Sequence, residues 1–249
     1  MDRSIIAESR RHLGAIPCWI DDEAWANSRA YYGCPPRLRH VVDLPINEEP
    51  TYTDALLVAA RHLGPEISYL EVGVSLGKNF WVLASALDQA RLVGFDWERI
   101  NPVLEARLDA AGGEGPLRHY RLGENRVSYL HGDLFHPEDW RALAGERFQL
   151  VFLDAIDRAE AALFQVERLL ELHLLDPERF CLVWDDLEAD EGGDMSRAFF
   201  RVAEQLRRDF AVPAAGVFRL VVNSTLGQHE PPHYVGVIHN AGLTPGAFT

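Results

Sequence analysis

The chain has 249 residues, of which 47% are hydrophobic and 25% charged, as in ordinary globular proteins. Its 38 acidic residues outnumber the 24 lysines and arginines, and a net charge of −14 repels the phosphates of nucleic acids, which are not expected partners. No stretch resembles a signal peptide or approaches the roughly 20 apolar residues of a membrane helix. We therefore expect a cytoplasmic protein without membrane contact, and a homodimer is compatible with these features.

The N-terminal fifth of the chain is its least regular part. Helices are predicted near residues 4–13 and 21–30, and the tyrosines, glycine and prolines of residues 31–36 break any regular pattern. We therefore divide the chain into an N-terminal helical extension, residues 1–50, and a cofactor-binding domain, residues 51–249. The extension is expected to pack on the core as a lid over its substrate.

From residue 53 onward, segments with helical periodicity alternate with short apolar runs. This alternation predicts an α/β fold, a Rossmann-like, seven-stranded, mostly parallel sheet with helices on both faces and a C-terminal antiparallel hairpin. Strands are predicted at 67–72, 91–96, 127–133, 148–154, 179–186, 217–224 and 233–240. Helices are predicted at 53–63, 78–90, 101–112, 137–144, 158–174 and 194–210.

Each of the first five predicted strands ends in a carboxylate. Because the carboxyl ends of parallel strands meet at one edge of a sheet, these side chains are expected to form a cluster that needs cations or hydrogen-bond donors. A single aspartate at such a place often only caps the following helix. The residues are Glu71, Asp96, Asp133, Asp154 and the pair Asp185 and Asp186.

The first of these strands leads into a turn with two glycines, Gly73 and Gly77. Glycine permits the sharp turn and the close approach of a ligand, and the following helix offers free N–H groups. The turn lacks the middle glycine that a dinucleotide fingerprint places against the pyrophosphate. It therefore favours a cofactor without a diphosphate.

Taken together, five motifs resemble the class I S-adenosylmethionine-dependent methyltransferases, over roughly residues 53–240. The glycine turn, written E-x-G-x-x-x-G, is similar to that of the metal-dependent catechol O-methyltransferase-like and cephalosporin-hydroxylase-like branches. The motifs are EVGVSLG at 71–77, FDWE at 95–98, HGD at 131–133, FLDA at 152–155 and WDD at 184–186.

The resemblance implies a site for S-adenosylmethionine. Glu71 would supply negative charge near the cationic end, Asp96 would accept the ribose hydroxyls, and Trp97 would lie against the adenine. The alternatives are that both acids are helix caps and that Trp97 belongs to the core. The implied cofactor-binding residues are Glu71, Gly73, Ser75, Gly77, Asp96, Trp97, Gly132, Asp133 and Asp154.

The resemblance also implies a metal site made by Asp154, Asp185 and Asp186. Carboxylate oxygens suit Mg²⁺, or less often Ca²⁺ or Mn²⁺. Such an ion would lower the pKa of a substrate hydroxyl and align its oxygen with the methyl group. The alternative is that the pair caps a turn and Asp154 contacts the cofactor alone.

The chain departs from the resemblance at Asp157, where these branches usually have a lysine or histidine. Asp157 could act as a general base, add an oxygen around the metal or cap the helix that begins at Arg158. Asp154 and Asp157 are nevertheless the candidate catalytic residues.

The sequence predicts a methyltransferase that transfers a methyl group to the hydroxyl of a small molecule, with S-adenosylmethionine and Mg²⁺ as cofactors. The alternatives are an NAD(P)-binding oxidoreductase, which the missing middle glycine disfavours, and a non-catalytic binding protein with the same fold, for which the departure at Asp157 leaves room.

Overall fold

A computed structural model describes residues 1–14, 50–75, 77–113, 115–156, 158–188, 192–212, 214–220 and 233–248. Its helices are α1 (Arg3–Gly14), α2 (Tyr52–Leu63), α3 (Lys78–Ala86), α4 (Pro102–Glu105), α5 (Pro137–Trp140), α6 (Ala159–Glu171) and α7 (Asp194–Phe210). Its strands are β1 (Ser68–Val72), β2 (Arg91–Asp96), β3 (Asp109–Gly112), β4 (Leu117–Leu122), β5 (Asn125–His131), β6 (Leu150–Leu153), β7 (Cys181–Leu187), β8 (Ala214–Leu220) and β9 (His233–His239). Two short 3₁₀ helices span Arg141–Leu143 and Pro245–Ala247.

All the strands belong to one sheet with the order β3-β4-β5-β2-β1-β6-β7-β9-β8. The central five strands, β5 to β7 in this order, run parallel, and β9 lies antiparallel between β7 and β8. This confirms the mostly parallel α/β sheet and the C-terminal antiparallel hairpin. In the described part of the chain, no helix combines the length and the apolarity that crossing a bilayer requires.

The sheet has nine strands rather than seven, because the helix expected at 101–112 is wrong beyond Glu105. The chain instead forms the antiparallel pair β3 and β4, which extends the sheet beyond β5. Every residue of β3 is exposed, and in β4 Tyr120 is the buried one. An edge hairpin with one buried side chain leaves no periodic apolar signal in the sequence.

Helices cover both faces of the sheet. Apolar residues of α2 and α3 form one core with alternate residues of the strands, and α6 and α7 cover the other face. The helix α1, which confirms the segment predicted at 4–13, packs on α2 and α3. The helix expected at 21–30 lies outside the described residues, as does most of the proposed lid at residues 1–50.

A buried ion pair holds α1 on the first face. Thr51 and Asp54 form a capping box at the start of α2, and both carboxylate oxygens of Asp54 also accept hydrogen bonds from the Arg10 guanidinium at 2.7 and 2.8 Å. Bidentate pairing of this kind fixes geometry as well as charge. The N-terminal helix is therefore anchored to the helix that begins beside the candidate site.

Candidate functional site

Four of the predicted acids project from the same face of the sheet at its carboxyl edge. Glu71 pairs in register with Gly94 on one side and Phe152 on the other, and Phe152 pairs with Val183. Because side chains alternate along a strand, the residues two positions further on point the same way as Glu71. These residues are Asp96, Asp154 and Asp185, and they face the starts of α2 and α3.

The sheet changes its winding direction between β1 and β6, and such a switch point is where open α/β sheets bind ligands. Gly73 lies there with φ +89°, a conformation that favours glycine. A Cβ atom on Gly73 would overlap the backbone carbonyl of Asp154 and lie 2.6 Å from Cα of Ala155. The absent side chain therefore lets the glycine turn and the end of β6 meet.

Replacing Gly73 by alanine is expected to destabilise the protein by about 3 kcal/mol or more, because backbone strain is added to steric overlap. Gly145→Ala is the matched control, since Gly145 has the same φ of +89° with no heavy atom within 4 Å of its added Cβ. We expect the control to cost about 1 kcal/mol in urea unfolding, the strain alone. Equal losses in the two variants would show that the close approach to Asp154 is unimportant.

Asp96 organises the glycine turn directly. Its Oδ2 accepts hydrogen bonds from the backbone N–H groups of Val74 at 2.7 Å and Ser75 at 2.8 Å, and its Oδ1 accepts one from Glu98 at 2.9 Å. The N–H groups of Val74 and Ser75 are thus donated to Asp96. A carboxylate accepts about four hydrogen bonds, so Asp96 keeps the capacity to accept one more.

The outer residues of the predicted cofactor site surround this edge. Trp97 is 70% exposed, so the alternative that it belongs to the core is wrong. Gly132 lies against Asp139, whose carboxylate accepts the N–H of Asp133 at 2.7 Å. Asp133 itself accepts the N–H of Phe135 at 2.8 Å and so stabilises its own turn.

Glu71 lies at the centre of a buried hydrogen-bond network. It accepts the Tyr69 hydroxyl at 2.9 Å and the Asn79 amide at 3.4 Å, and Asn79 accepts the Thr53 hydroxyl at 2.5 Å. Burial raises the pKa of Glu71 to about 8, despite these hydrogen bonds. The network ties β1 to the first turns of α2 and α3, which fixes the floor of the site.

Asp154, Asp185 and Asp186 form the cluster that the metal prediction requires. One carboxylate oxygen from each lies within 4.8 Å of the others, and among the described residues this is the one group of three or more with such geometry. Burial, together with the charges of Asp185 and Asp186, raises the pKa of Asp154 well above its usual range. Asp186 has φ +57°, at an irregularity in the pairing of β7 with β9. Asp185 and Asp186 both belong to β7, which ends at Leu187.

Sequence reasoning missed two residues of the site, Tyr52 and Lys78. The Lys78 ammonium lies 3.2 Å from the Tyr52 hydroxyl and 4.6 Å from its ring centroid, and that ring stacks on Phe152 at 5.7 Å. Burial and the charges of Asp154 and Asp185 raise the pKa of Tyr52 well above its usual value. Only Lys78 had a signal in the sequence, because it is the sole lysine. Asp157, the candidate base, lies outside the described residues.

No protein-family model and no curated protein matches the chain. Solved structures do. The O-methyltransferase TomG of Streptomyces achromogenes in complex with SAM is 17% identical over 88% of this chain and 90% of that chain, with a TM-score of 0.46. The 1,6-didemethyltoxoflavin-N1-methyltransferase of Burkholderia thailandensis is 17% identical over 74% and 76%, with a TM-score of 0.49. Human methyltransferase-like protein 13 in complex with SAH is 12% identical over 79% and 86%, with a TM-score of 0.48. Similarity at this level assigns no substrate or cofactor to this chain.

Proposed function

We propose that the protein is an S-adenosylmethionine-dependent methyltransferase acting on the hydroxyl group of a small molecule, with a divalent cation, Mg²⁺, at Asp154, Asp185 and Asp186. The observation that carries the proposal is one of placement. The glycine turn, which lacks the middle glycine of a dinucleotide fingerprint, and a cluster of three carboxylates meet at the switch point of one sheet. The first suits a sulfonium cofactor and the second suits a hard cation.

The residues fit the cofactor in charge and in hydrogen bonding. S-adenosylmethionine carries a sulfonium and an ammonium at its methionine end. Glu71 and Asp154 provide carboxyl groups on the sheet face where that cationic end would lie. Asp96 retains acceptor capacity for a ribose hydroxyl, and the exposed Trp97 follows it directly. The net charge of −14 supports a small molecule, and not a nucleic acid, as the methyl acceptor.

The residues also fit a divalent cation. Three carboxylates so close together repel one another, and burial together with that repulsion raises the pKa of Asp154. A cation there would lower the pKa of an acceptor hydroxyl and hold its oxygen in line with the methyl group. The protein's own residues would position that cation, since Asp154 follows β6 directly and Asp185 lies within β7.

Isothermal calorimetry with S-adenosylhomocysteine tests the cofactor assignment. We expect a one-to-one complex with a dissociation constant in the micromolar range, about −8 kcal/mol of binding free energy. NADH serves as the competing ligand and is expected to give no heat, because no glycine accommodates its pyrophosphate. A folded sample that binds NADH but not S-adenosylhomocysteine would instead identify an oxidoreductase. Cofactor binding without transfer to any hydroxyl would identify the non-catalytic alternative.

A further inference from the structure

Lys78 occupies an unusual position in this chain. The sequence contains 24 lysines and arginines, and Lys78 is the single lysine among them. It begins α3 immediately after Gly77, at the edge where the acids meet. The other 23 of these residues are arginines, including those that pair with Asp54, Glu105 and Glu146.

The surroundings of Lys78 combine partial burial with negative charge. Tyr52 of α2 contacts the amine, and the charges of Asp54 in α2 and Glu71 in β1 act on it. The remaining charged groups are Asp154 after β6, Asp185 in β7 and Arg10 in α1, whose charge Asp54 neutralises. Burial outweighs the acids and lowers the pKa of Lys78 to about 8.

The Tyr52 side chain holds the amine in place. Nζ of Lys78 donates a hydrogen bond to the Tyr52 hydroxyl oxygen, and the Tyr52 ring stacks on Phe152 two residues before Asp154. The amine is therefore fixed at the carboxyl edge of the sheet, within the electrostatic influence of Asp154 and Asp185, where the proposed function places the acceptor hydroxyl. It is held there by packing, and no ion pair with Asp154 or Asp185 is needed to explain its position.

The choice of lysine over arginine indicates what the residue does. Arginine binds carboxylates better through its planar fork, but it does not release its proton in proteins. A lysine whose charge is disfavoured by burial can accept a proton near neutral pH. A chain that uses arginine for its other cations thus has its one amine side chain at the place where proton transfer is required.

We propose that Lys78 is the base that takes the proton of the acceptor hydroxyl, in place of the lysine or histidine that the resemblance expects where this chain has Asp157. This rests on the proposed function. An oxygen lone pair of the acceptor attacks the methyl carbon, and the carbon–sulfur bond breaks with its electron pair passing to sulfur. The hydroxyl proton passes to Nζ of Lys78, and the ammonium then loses it to solvent.

Two substitutions separate this role from a purely electrostatic one. Lys78→Arg keeps the positive charge and Lys78→Met keeps much of the side-chain length without it. With Mg²⁺ present and catechol and phenol as probe acceptors, we expect both to lower kcat by about 10²- to 10⁴-fold. Their affinity for S-adenosylhomocysteine should remain that of the wild type. An active Lys78→Arg variant would overturn the base and leave only a requirement for charge.

The pH dependence gives a readout that a structural role would not change. Below its pKa the amine is protonated and cannot accept a proton, so the wild-type rate should fall on the acid side. Lys78→Ala should lose this limb, and added ethylamine should partly restore its rate. An unchanged pH profile in the variant would overturn the proposal.

The single lysine also allows the amine to be observed directly. Protein grown with ¹³Cε-labelled lysine has one labelled site, so its NMR titration reports Lys78 alone. A midpoint near 8 supports the proposal, and a midpoint near the ordinary 10.5 overturns it. A wild type that binds no S-adenosylhomocysteine, or methylates neither probe, refutes the proposed function itself. Normal binding and turnover with an active Lys78→Arg refutes the role of Lys78 alone.

Discussion

Asp154→Asn is expected to abolish divalent-cation binding while making the metal-free protein more stable. The substitution removes one of three clustered carboxylates and with it a ligand charge, so affinity for Mn²⁺, used as a paramagnetic probe of the Mg²⁺ site, should fall about 100-fold or more. The same change removes the burial penalty and the repulsion by Asp185 and Asp186 that together raise the pKa of Asp154. Function and stability are thus expected to move in opposite directions.

Electron paramagnetic resonance of free Mn²⁺ measures the affinity, and thermal unfolding in EDTA measures the stability. Asp133→Asn is the matched control, because Asp133 also follows a strand at the same edge but lies outside the cluster. It should bind Mn²⁺ as the wild type does. Retained binding in Asp154→Asn, or equal loss in both variants, would contradict the metal site. Methyl transfer undiminished in EDTA would exclude a catalytic role for the ion.

The acids of the site were predictable because a strand's end and its alternation are local properties. Glu71 and Asp154 each follow an apolar run, and parallel pairing alone brings such ends to one edge. Register then decides which face each side chain occupies, and the sequence has no simple signal for register. The common face of Glu71, Asp96, Asp154 and Asp185 is therefore a result of the structure.

Other features of the site depend on how separate elements are placed against one another. The bonds from Val74 and Ser75 to Asp96 join two turns that follow different strands. The contact of Lys78 with Tyr52 depends on the rotation of two helices on the sheet. Neither is visible in periodicity or motif spacing. For Lys78 only its uniqueness in the composition gave a signal, and no motif includes it.

Glu71→Gln is expected to stabilise the free protein in a pH-dependent manner. Because burial raises the pKa of Glu71 to about 8 from an ordinary 4.5, the folded state holds a proton that the unfolded state has lost between these two values. The contribution of Glu71 to the free energy of unfolding is therefore fully present below pH 4.5 and is lost as the pH rises towards 8. The cost reaches about 3 kcal/mol at pH 7, and glutamine avoids it.

The hydrogen-bond network can survive this change, which makes the measurement interpretable. A glutamine amide can donate to the Tyr69 hydroxyl while its carbonyl accepts from Asn79, since a phenol both donates and accepts. Urea unfolding should give equal stabilities for wild type and variant at pH 4.5 and a growing advantage for the variant up to pH 8. Glu66→Gln, at an exposed position just before β1, is the control and should show no such gain.

The same substitution should weaken the cofactor site. In the proposed complex the ammonium of S-adenosylhomocysteine favours ionised Glu71, so its binding at pH 7 is expected to release about one proton from the wild type. Calorimetry in buffers of different ionisation enthalpy measures this release, and it should vanish in Glu71→Gln together with part of the affinity. A stability difference independent of pH would show that Glu71 is ionised in the folded protein. Unchanged proton release in the variant would place the cofactor's ammonium away from Glu71.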